Sequence, residues 1–398
     1  MAAVWDFSFV MSVVISKSRF AQRIARTFIT LALAASISAC AQRPDESAGI
    51  RTLLPMEAVD ESSVLKASIG FESIDRKNGD GVHTVLALSS GGADGAYGAG
   101  VLVGWTKSGT RPKFDVVTGV STGALQAVLA FLGPEYDPLL EEFYTTLESK
   151  DIFRIKGLGG LFGDSLYDNK PLKKQIERVI TPQLLAKIAA EHDTGRRLYV
   201  ATTNLDAGDL TIWDMGKIAK GGRTNKLLHF QKVLRASSAV PAYFEPVYIK
   251  PQRGIQLRQA HVDGGVKKPV LVSDFMFQSR LKKKALYMII NGSTSKYNAT
   301  HAVKPTLAEI SRKTILEMMR ELQDNTIYRD YVLANHEGAK FRITSIPDSF
   351  PASVDMLKFD NVRMKKLFVI GHAVGVSGTK KWATEPNLIT NGERIAAR

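Results

Sequence analysis

The chain is poor in cysteine and in long hydrophobic runs. Its 398 residues contain one cysteine, Cys40, so no disulfide can form within the chain. No group of histidines and cysteines has the spacing of a metal-ligand set, and we predict neither a metal nor any other cofactor. The apolar run from Thr27 to Ser38 is too short to span a bilayer.

Nucleic-acid-binding motifs, internal repeats and low-complexity tracts are also missing. The chain carries a net charge of +14, but it has no zinc-finger, homeodomain or RNA-recognition pattern, so we predict no nucleic-acid partner. A basic surface suits anionic phospholipid headgroups, although scattered lysines are more often only solvated. Hydrophobic residues make up 44% of the chain and charged residues 23%, which predicts a packed globular core.

The most informative motif is Gly119-Val120-Ser121-Thr122-Gly123. An apolar, strand-like run over 114–118 precedes it, and a helix-forming run over 124–132 follows it. Strand, tight turn and helix form the context of a nucleophile elbow. We therefore predict Ser121 as a nucleophile at a helix N-terminus, where the helix dipole stabilises negative charge. A strand-to-helix turn without chemistry is the alternative for this motif taken alone.

A second glycine-rich loop, Ser89-Ser90-Gly91-Gly92-Ala93-Asp94-Gly95, follows the strand-like run over 84–88. With the elbow it forms a βαβ unit whose two loops lie at the carboxyl ends of neighbouring parallel strands. The backbone N–H groups of Gly91, Gly92 and Ala93 are candidate donors to an oxyanion. The alternative is a dinucleotide-binding loop, which is weaker because Ser90 occupies its first glycine position.

A third motif, His261-Val262-Asp263-Gly264-Gly265, ends a strand-like run that begins near residue 256. An Asp-Gly pair usually marks only a turn. Among the residues of this sequence, however, Asp263 is the most plausible partner for Ser121.

Together these motifs resemble those of the bacterial patatin-like phospholipases, over about residues 82–270 and including the segments 201–208 and 235–247. The resemblance implies an α/β fold, a three-layer α/β/α sandwich with a mainly parallel central sheet. It also implies acyl hydrolysis of lipids by a Ser121–Asp263 dyad without histidine. The implied oxyanion loop is Gly91, Gly92 and Ala93, and the supporting glycines are Gly95, Gly119, Gly123, Gly264 and Gly265. Two positions depart from the family pattern: Ser90 replaces the first of three glycines, and Asp94 stands where a basic residue is common.

Two other functions stay open. The first is a carboxylesterase of α/β-hydrolase type with a Ser-Asp-His triad, for which His301, His336 and His372 follow Asp263. It is disfavoured because only one core strand precedes the elbow, whereas several precede it in that fold. The second is a lipoprotein that binds lipid without catalysis.

The N-terminus predicts a lipoprotein signal. Lys17, Arg19, Arg23 and Arg26 form a basic region before the apolar run, and Ile37-Ser38-Ala39-Cys40 resembles a lipobox. Cys40 would then be acylated, and Ala41 favours sorting to the outer membrane. We predict a signal peptide over 1–39, a tether over 40–80, a catalytic domain with C-terminal helices over 81–375 and a loose tail over 376–398. The expected partners are a phospholipid or other acyl-lipid substrate and a membrane surface in the bacterial cell envelope.

The spacing of apolar residues places further elements. Helices are predicted over 171–180, 183–192, 227–238, 305–336 and 359–376, and strands over 197–203, 285–290 and 341–346. The segment 151–163 mixes bulky apolar residues with glycines. Two interpretations of this segment stay open, an ordinary buried loop and a flexible apolar lid over the active site.

Overall fold

The computed structural model describes residues 81–157, 164–250, 258–294, 302–351 and 355–386. The predicted signal peptide, Cys40, the tether, residues 158–163 of the predicted lid and the end of the predicted tail lie outside these ranges. Within them, no helix combines the length and the apolar character needed to cross a membrane.

Ten strands and ten α-helices cover the described ranges. The strands are β1 (Val82–Leu88), β2 (Val116–Gly119), β3 (Arg154–Ile155), β4 (Tyr167–Asp168), β5 (Arg197–Asn204), β6 (Asp209–Asp214), β7 (Val247–Ile249), β8 (Gln259–Asp263), β9 (Lys283–Ile290) and β10 (Ala339–Ser345). The helices are α1 (Gly95–Lys107), α2 (Thr122–Leu132), α3 (Asp137–Thr146), α4 (Ser149–Ile152), α5 (Lys170–Val179), α6 (Pro182–Asp193), α7 (Met215–Lys220), α8 (Lys226–Ser237), α9 (Leu307–His336) and α10 (Asn361–Val376).

The central sheet has the strand order β10-β9-β1-β2-β5-β8-β7, with β6 pairing to β5. The five strands from β10 to β5 are parallel. The strands β6, β7 and β8 add antiparallel pairs. Because β1 and β2 are parallel neighbours, the loops that follow Leu88 and Gly119 lie at the same edge of the sheet.

Both faces of the sheet are covered, which explains why its parallel strands are continuous apolar runs rather than alternating ones. On one face, Leu86 and Leu88 belong to a core that includes residues of α1, α2, α5, α6, α8 and α10. On the other, Val85 and Ala87 pack with the segment 270–277 and with Ile327 of α9. The predicted three-layer α/β arrangement with a mainly parallel sheet is therefore confirmed.

Helix α10 packs directly on α1 through small residues. A Cβ atom at Gly100 would clash with the carbonyl of Phe368, and one at Gly371 would clash with the carbonyl of Tyr97. This close approach brings the start of α10 next to the loop that precedes α1. The C-terminal helices are therefore part of the same packed unit as the motif-bearing strands.

The chain beyond α10 differs from the predicted loose tail. A short 3₁₀ helix covers Gly378–Lys381, and Trp382 is buried against Trp105 with 4.9 Å between the ring centroids. Ala383 forms an antiparallel bridge with Ile343 of β10. A buried indole offers enough apolar surface to hold such a short segment, and the sequence pattern did not reveal its packing partner.

Candidate active site

Ser121 lies on a strained turn between β2 and α2. Its φ of 56° is in the left-handed region, which is costly for a residue with a side chain and is typical of functional sites. A Cβ at Gly119 would clash with the carbonyl of Gly123, and one at Gly123 would clash with the carbonyl of Leu88. The two glycines are therefore required for the close backbone approach that forms the predicted elbow around Ser121.

A neighbouring serine holds this turn in place. The Ser121 N–H donates to the Ser237 hydroxyl at 3.0 Å, and that hydroxyl donates to the carbonyl of Ala201 at 2.7 Å. Ser237 ends α8 and is fully buried. It therefore connects the elbow to strand β5.

Asp263 ends β8 and reaches the elbow through the sheet register. Gly119 lies opposite Val200 of β5, and Asp263 lies opposite Thr202, two residues further along the same strand. One oxygen of the Asp263 carboxylate, Oδ1, accepts the N–H of Gly265 at 2.7 Å. The structure thus brings together Ser121 and Asp263, two residues that are 142 positions apart in the sequence.

Burial controls the charge of Asp263. Its side chain is fully buried, and this desolvation raises the pKa of the carboxyl from 3.8 to about 7, although hydrogen bonding from Ser121 and Gly265 partly opposes the shift. The contact with Ser121 is loose, because Oδ2 of Asp263 has no well-formed hydrogen bond within the described residues. A carboxyl with a pKa near neutrality can both accept and return a proton at physiological pH.

The glycine loop lies beside Ser121 at the same edge of the sheet. Within the described residues, the N–H groups of Gly91 and Gly92 have no acceptor. The N–H of Ala93 donates to the carbonyl of Met356 at 2.8 Å. The structure thus leaves two of the three predicted donors free and engages the third, Ala93, with the C-terminal segment. Gly95 begins α1 close to Thr122, which explains why it cannot carry a side chain.

The acidic residue of this loop is paired with a cation. Asp94 accepts from the Arg363 guanidinium of α10 at 3.1 Å. Burial raises the pKa of Asp94, and the nearby Arg363 and Arg320 oppose that shift. A positive group therefore does lie beside the loop, although it comes from the other end of the chain.

Ser121 opens into an apolar cavity. Two regions of the chain supply its walls. From the motif-bearing region come Gly92, Thr122, Leu125, Phe143, Tyr144, Leu147, Ile152, Leu172, Ser238, Val240 and Phe244, and from the C-terminal region come Leu357, Phe359 and Met364. Such a cavity suits a hydrocarbon chain rather than a polar metabolite.

The C-terminal wall is fixed by several polar contacts. Asp355 accepts from Arg312 of α9 at 2.9 Å. The N–H of Phe359 donates to the Ser149 hydroxyl at 3.0 Å, and the carbonyl of Phe359 accepts from the Ser149 N–H at 3.1 Å. These bonds place Met356 and Leu357 over the glycine loop.

The histidines of the triad alternative do not meet the elbow. The His336 side chain is 82% exposed at the end of α9, and His372 stacks on Phe368 in α10. His301 lies outside the described residues. No described histidine lines the cavity that contains Ser121, so the geometry favours a dyad over a triad.

The predicted lid is only partly described. Phe153 is half-buried against Tyr167, Phe244 and Phe359, so it packs behind two residues of the cavity wall, Phe244 and Phe359. Ile155 is 78% exposed. At Phe153 the described part of the segment is therefore a partly buried loop, whereas at Ile155 it is exposed.

Sequence reasoning missed the roles of Ser237, Met356 and Leu357. Ser237 lies inside the segment 235–247, which was singled out by the family resemblance, so its position carried a signal but its contact did not. Met356 and Leu357 lie in a stretch without motif or periodicity. Their place over the glycine loop depends on tertiary packing alone.

Part of the chain is similar to known proteins. Residues 86–276 match the family model described as patatin-like phospholipase. Among solved structures, VipD from Legionella pneumophila is 11% identical, with a TM-score of 0.39 and an alignment that covers 75% of this chain and 67% of VipD. No curated protein sequence matches this chain.

Proposed function

Residues 86–276 form a domain that matches the patatin-like phospholipase family model, and from this premise we propose that the protein hydrolyses lipid carboxylic esters through an acyl-enzyme on Ser121. The family match supports lipid acyl hydrolysis as the general activity. The observation that carries the finer proposal is the placement of Ser121 on a strained turn beside the buried carboxyl of Asp263, whose pKa is raised to about 7.

In the proposed first step, Oγ of Ser121 attacks the carbonyl carbon of the lipid ester while its proton passes to the Asp263 carboxylate. The oxyanion that forms accepts hydrogen bonds from the free N–H groups of Gly91 and Gly92. When the tetrahedral intermediate collapses, the C–O bond to the alcohol breaks and the alcohol takes the proton from Asp263. The acyl group is then bonded to Ser121.

The second step repeats this chemistry with water. Asp263, ionised again, takes a proton from water as the water oxygen attacks the acyl-enzyme. The intermediate collapses to a carboxylic acid, and the proton returns from Asp263 to Oγ of Ser121. Since Asp263 must be ionised at the start of each step, the rate is expected to rise with pH through about 7, where the raised pKa lies.

The apolar cavity supports a long acyl chain as the substrate group. Its C-terminal wall is built from Leu357, Phe359 and Met364, and apolar contacts with each methylene add to transition-state binding. The proposed activity is therefore that of a phospholipase A or lysophospholipase.

The test uses two dyad variants, Ser121→Ala and Asp263→Asn, with a p-nitrophenyl ester and a phospholipid in mixed micelles as substrates. Each variant is expected to lose roughly 10³-fold or more in kcat with an unchanged circular-dichroism spectrum. His336→Ala and His372→Ala are the matched controls and should retain nearly full activity. A comparable loss in either histidine variant would assign a triad instead.

We also propose that Cys40 anchors the protein in the bacterial cell envelope, with the outer membrane as the expected location. The lipobox-like run that ends at Cys40 and the basic region before it support this placement. Mass spectrometry of the mature protein should find lipid-modified Cys40 as its first residue. An unmodified Cys40 thiol would contradict the anchor.

A further inference from the structure

A second cavity lies on the other side of the glycine loop from Ser121. Gly91 lines this cavity, whereas Gly92 lines the cavity of Ser121. Likewise, Met356 lines the second cavity and Leu357 lines the cavity of Ser121. The two cavities are therefore separated only by single stretches of main chain.

The second cavity is cationic where the first is apolar. Arg320 of α9 and Arg363 of α10 both line it, together with Asp94. Asp94 is paired with Arg363 at 3.1 Å. Arg320 has only a loose pair with the half-exposed Glu317, at 3.6 Å. The two guanidinium groups thus outweigh the one carboxylate of the lining.

One buried polar atom of the residues that line this cavity lacks a partner. Nε of Arg363 is buried and makes no hydrogen bond among the described residues, although the same guanidinium donates to Asp94 at 3.1 Å and to the carbonyl of Pro351 at 2.7 Å. Buried polar groups are almost always hydrogen-bonded in folded proteins. Gln323, one helical turn after Arg320, and Ser90 also line the cavity, and neither side chain makes a hydrogen bond within the described part of the chain. These donors are therefore available to a polar ligand.

We infer that this second cavity binds a phosphate ester, the phosphodiester of a phospholipid head group, while the acyl ester of the same molecule lies at Ser121. A guanidinium matches a phosphate with two parallel N–H···O bonds, and the Gln323 amide and Ser90 hydroxyl add neutral donors. In a phospholipid, only a short glycerol segment separates the phosphate from the ester carbonyl. This matches two cavities that meet at Gly91 and Gly92.

The inference rests on the proposed lipid hydrolysis and narrows its substrate to phosphate-bearing lipids. It predicts that Arg320 and Gln323 determine specificity, whereas Ser121 and Asp263 determine rate. A neutral diacylglycerol with the same acyl chains fills only the apolar cavity and serves as the comparison substrate.

The first experiment compares Arg320→Gln with the unmodified protein on phosphatidylglycerol and on diacylglycerol, in micelles of one detergent. The expected result is a loss of roughly 10- to 100-fold in kcat/KM for the phospholipid, the scale of one charge-assisted hydrogen bond, and less than a twofold change for diacylglycerol. Arg329→Gln, on the same helix with a side chain that is 61% exposed, is the control and should change neither. Equal losses on both substrates, or no loss, would overturn the inference.

Two further variants distinguish a loss of phosphate binding from a folding defect. Gln323→Leu keeps a similar volume and removes the free amide, so it should lower phospholipid turnover and leave diacylglycerol turnover unchanged. Arg320→Lys keeps the charge and should restore part of the phospholipid activity that Arg320→Gln loses. A lower melting temperature with parallel losses on both lipids would assign only a structural role to these residues.

A binding measurement separates this inference from the proposed reaction. By calorimetry with the Ser121→Ala protein, glycerol 3-phosphate should bind, and binding should weaken at least tenfold in the Ser121→Ala, Arg320→Gln double variant. If the unmodified protein hydrolyses no ester but this binding is found, the proposed function fails and the phosphate site stands. If inorganic phosphate binds as well as glycerol 3-phosphate and no phospholipid preference exists, the cavity is a free-phosphate site and the head-group assignment is wrong.

Discussion

Two regions of the chain meet at the candidate active site and contribute different groups to it. The motif-bearing region, residues 82–276, supplies Ser121, Asp263 and the glycine loop. The C-terminal region, residues 302–386, supplies the Met356 carbonyl over that loop and part of the walls of both cavities. The reacting groups are held by backbone geometry that few residues can adopt, whereas the walls require only suitable volume and polarity. Short motifs therefore mark the first region and not the second.

The largest effect is expected where the two regions touch, at Gly92. Its φ of 56° and its closeness to the Met356 carbonyl leave no room for a side chain. Gly92→Pro also removes a free N–H, so kcat should fall about 10²–10³-fold, the cost of one lost oxyanion donor. Gly109→Pro is the control for backbone strain, because Gly109 also has a positive φ, 70°, that proline cannot adopt and lies on a turn beyond the other end of α1. Unchanged kcat in folded Gly92→Pro would show that the donors lie elsewhere.

A smaller effect is expected at Ser237, which belongs to the motif-bearing region. Ser237→Ala leaves the Ser121 N–H without its acceptor, so the strained turn loses a hydrogen bond that stabilises it. We expect about a tenfold loss in kcat with little change in KM, and a loss of about 1–3 kcal/mol in the free energy of unfolding. Ser238→Ala is the stability control, because its hydroxyl has no partner among the described residues. If both variants unfold at the same denaturant concentration, the supporting role of Ser237 is refuted.

The smallest effect on a short-chain ester, and therefore on the reaction itself, is expected from changes in the C-terminal wall. Leu357 lines the apolar cavity and is 4% exposed. Leu357→Ala should lower kcat/KM for long-chain esters roughly tenfold and barely affect a two-carbon ester, because only a long chain reaches the lost contacts. Leu367→Ala, equally buried in α10 but outside the cavity lining, controls for destabilisation. A uniform loss across chain lengths would assign Leu357 to folding rather than to substrate selection.

The same comparison explains what the sequence could predict. The strand-like and helix-like runs around Ser121 predicted the elbow, and the sheet confirms the predicted layer arrangement. Asp263 could be singled out because Asp-Gly-Gly ends a strand-like run and the family resemblance assigns it a role. The engagement of the Ala93 N–H by Met356 could not be predicted, since these residues are 263 positions apart.

The positions of Arg320 and Gln323 at a cavity could not be predicted from the sequence either. They occupy two positions on a thirty-residue helix, where charged and amide residues are most often solvated. Only the packing of α9 and α10 against the glycine loop places them at a cavity. Long-range packing, rather than local pattern, therefore determines the part of the site that selects the substrate.

The central claim is that Ser121 is activated by the buried Asp263 alone. It is tested most directly by the rate at which a fluorophosphonate probe modifies the protein at several pH values, with mass spectrometry to locate the label. The account predicts labelling of Ser121 at a rate that rises with pH through about 7, following ionisation of the Asp263 carboxyl whose pKa is raised to that value. In Asp263→Asn the rate should be far lower and should lose this dependence. A label on another residue, or an unchanged pH profile in Asp263→Asn, would contradict the account.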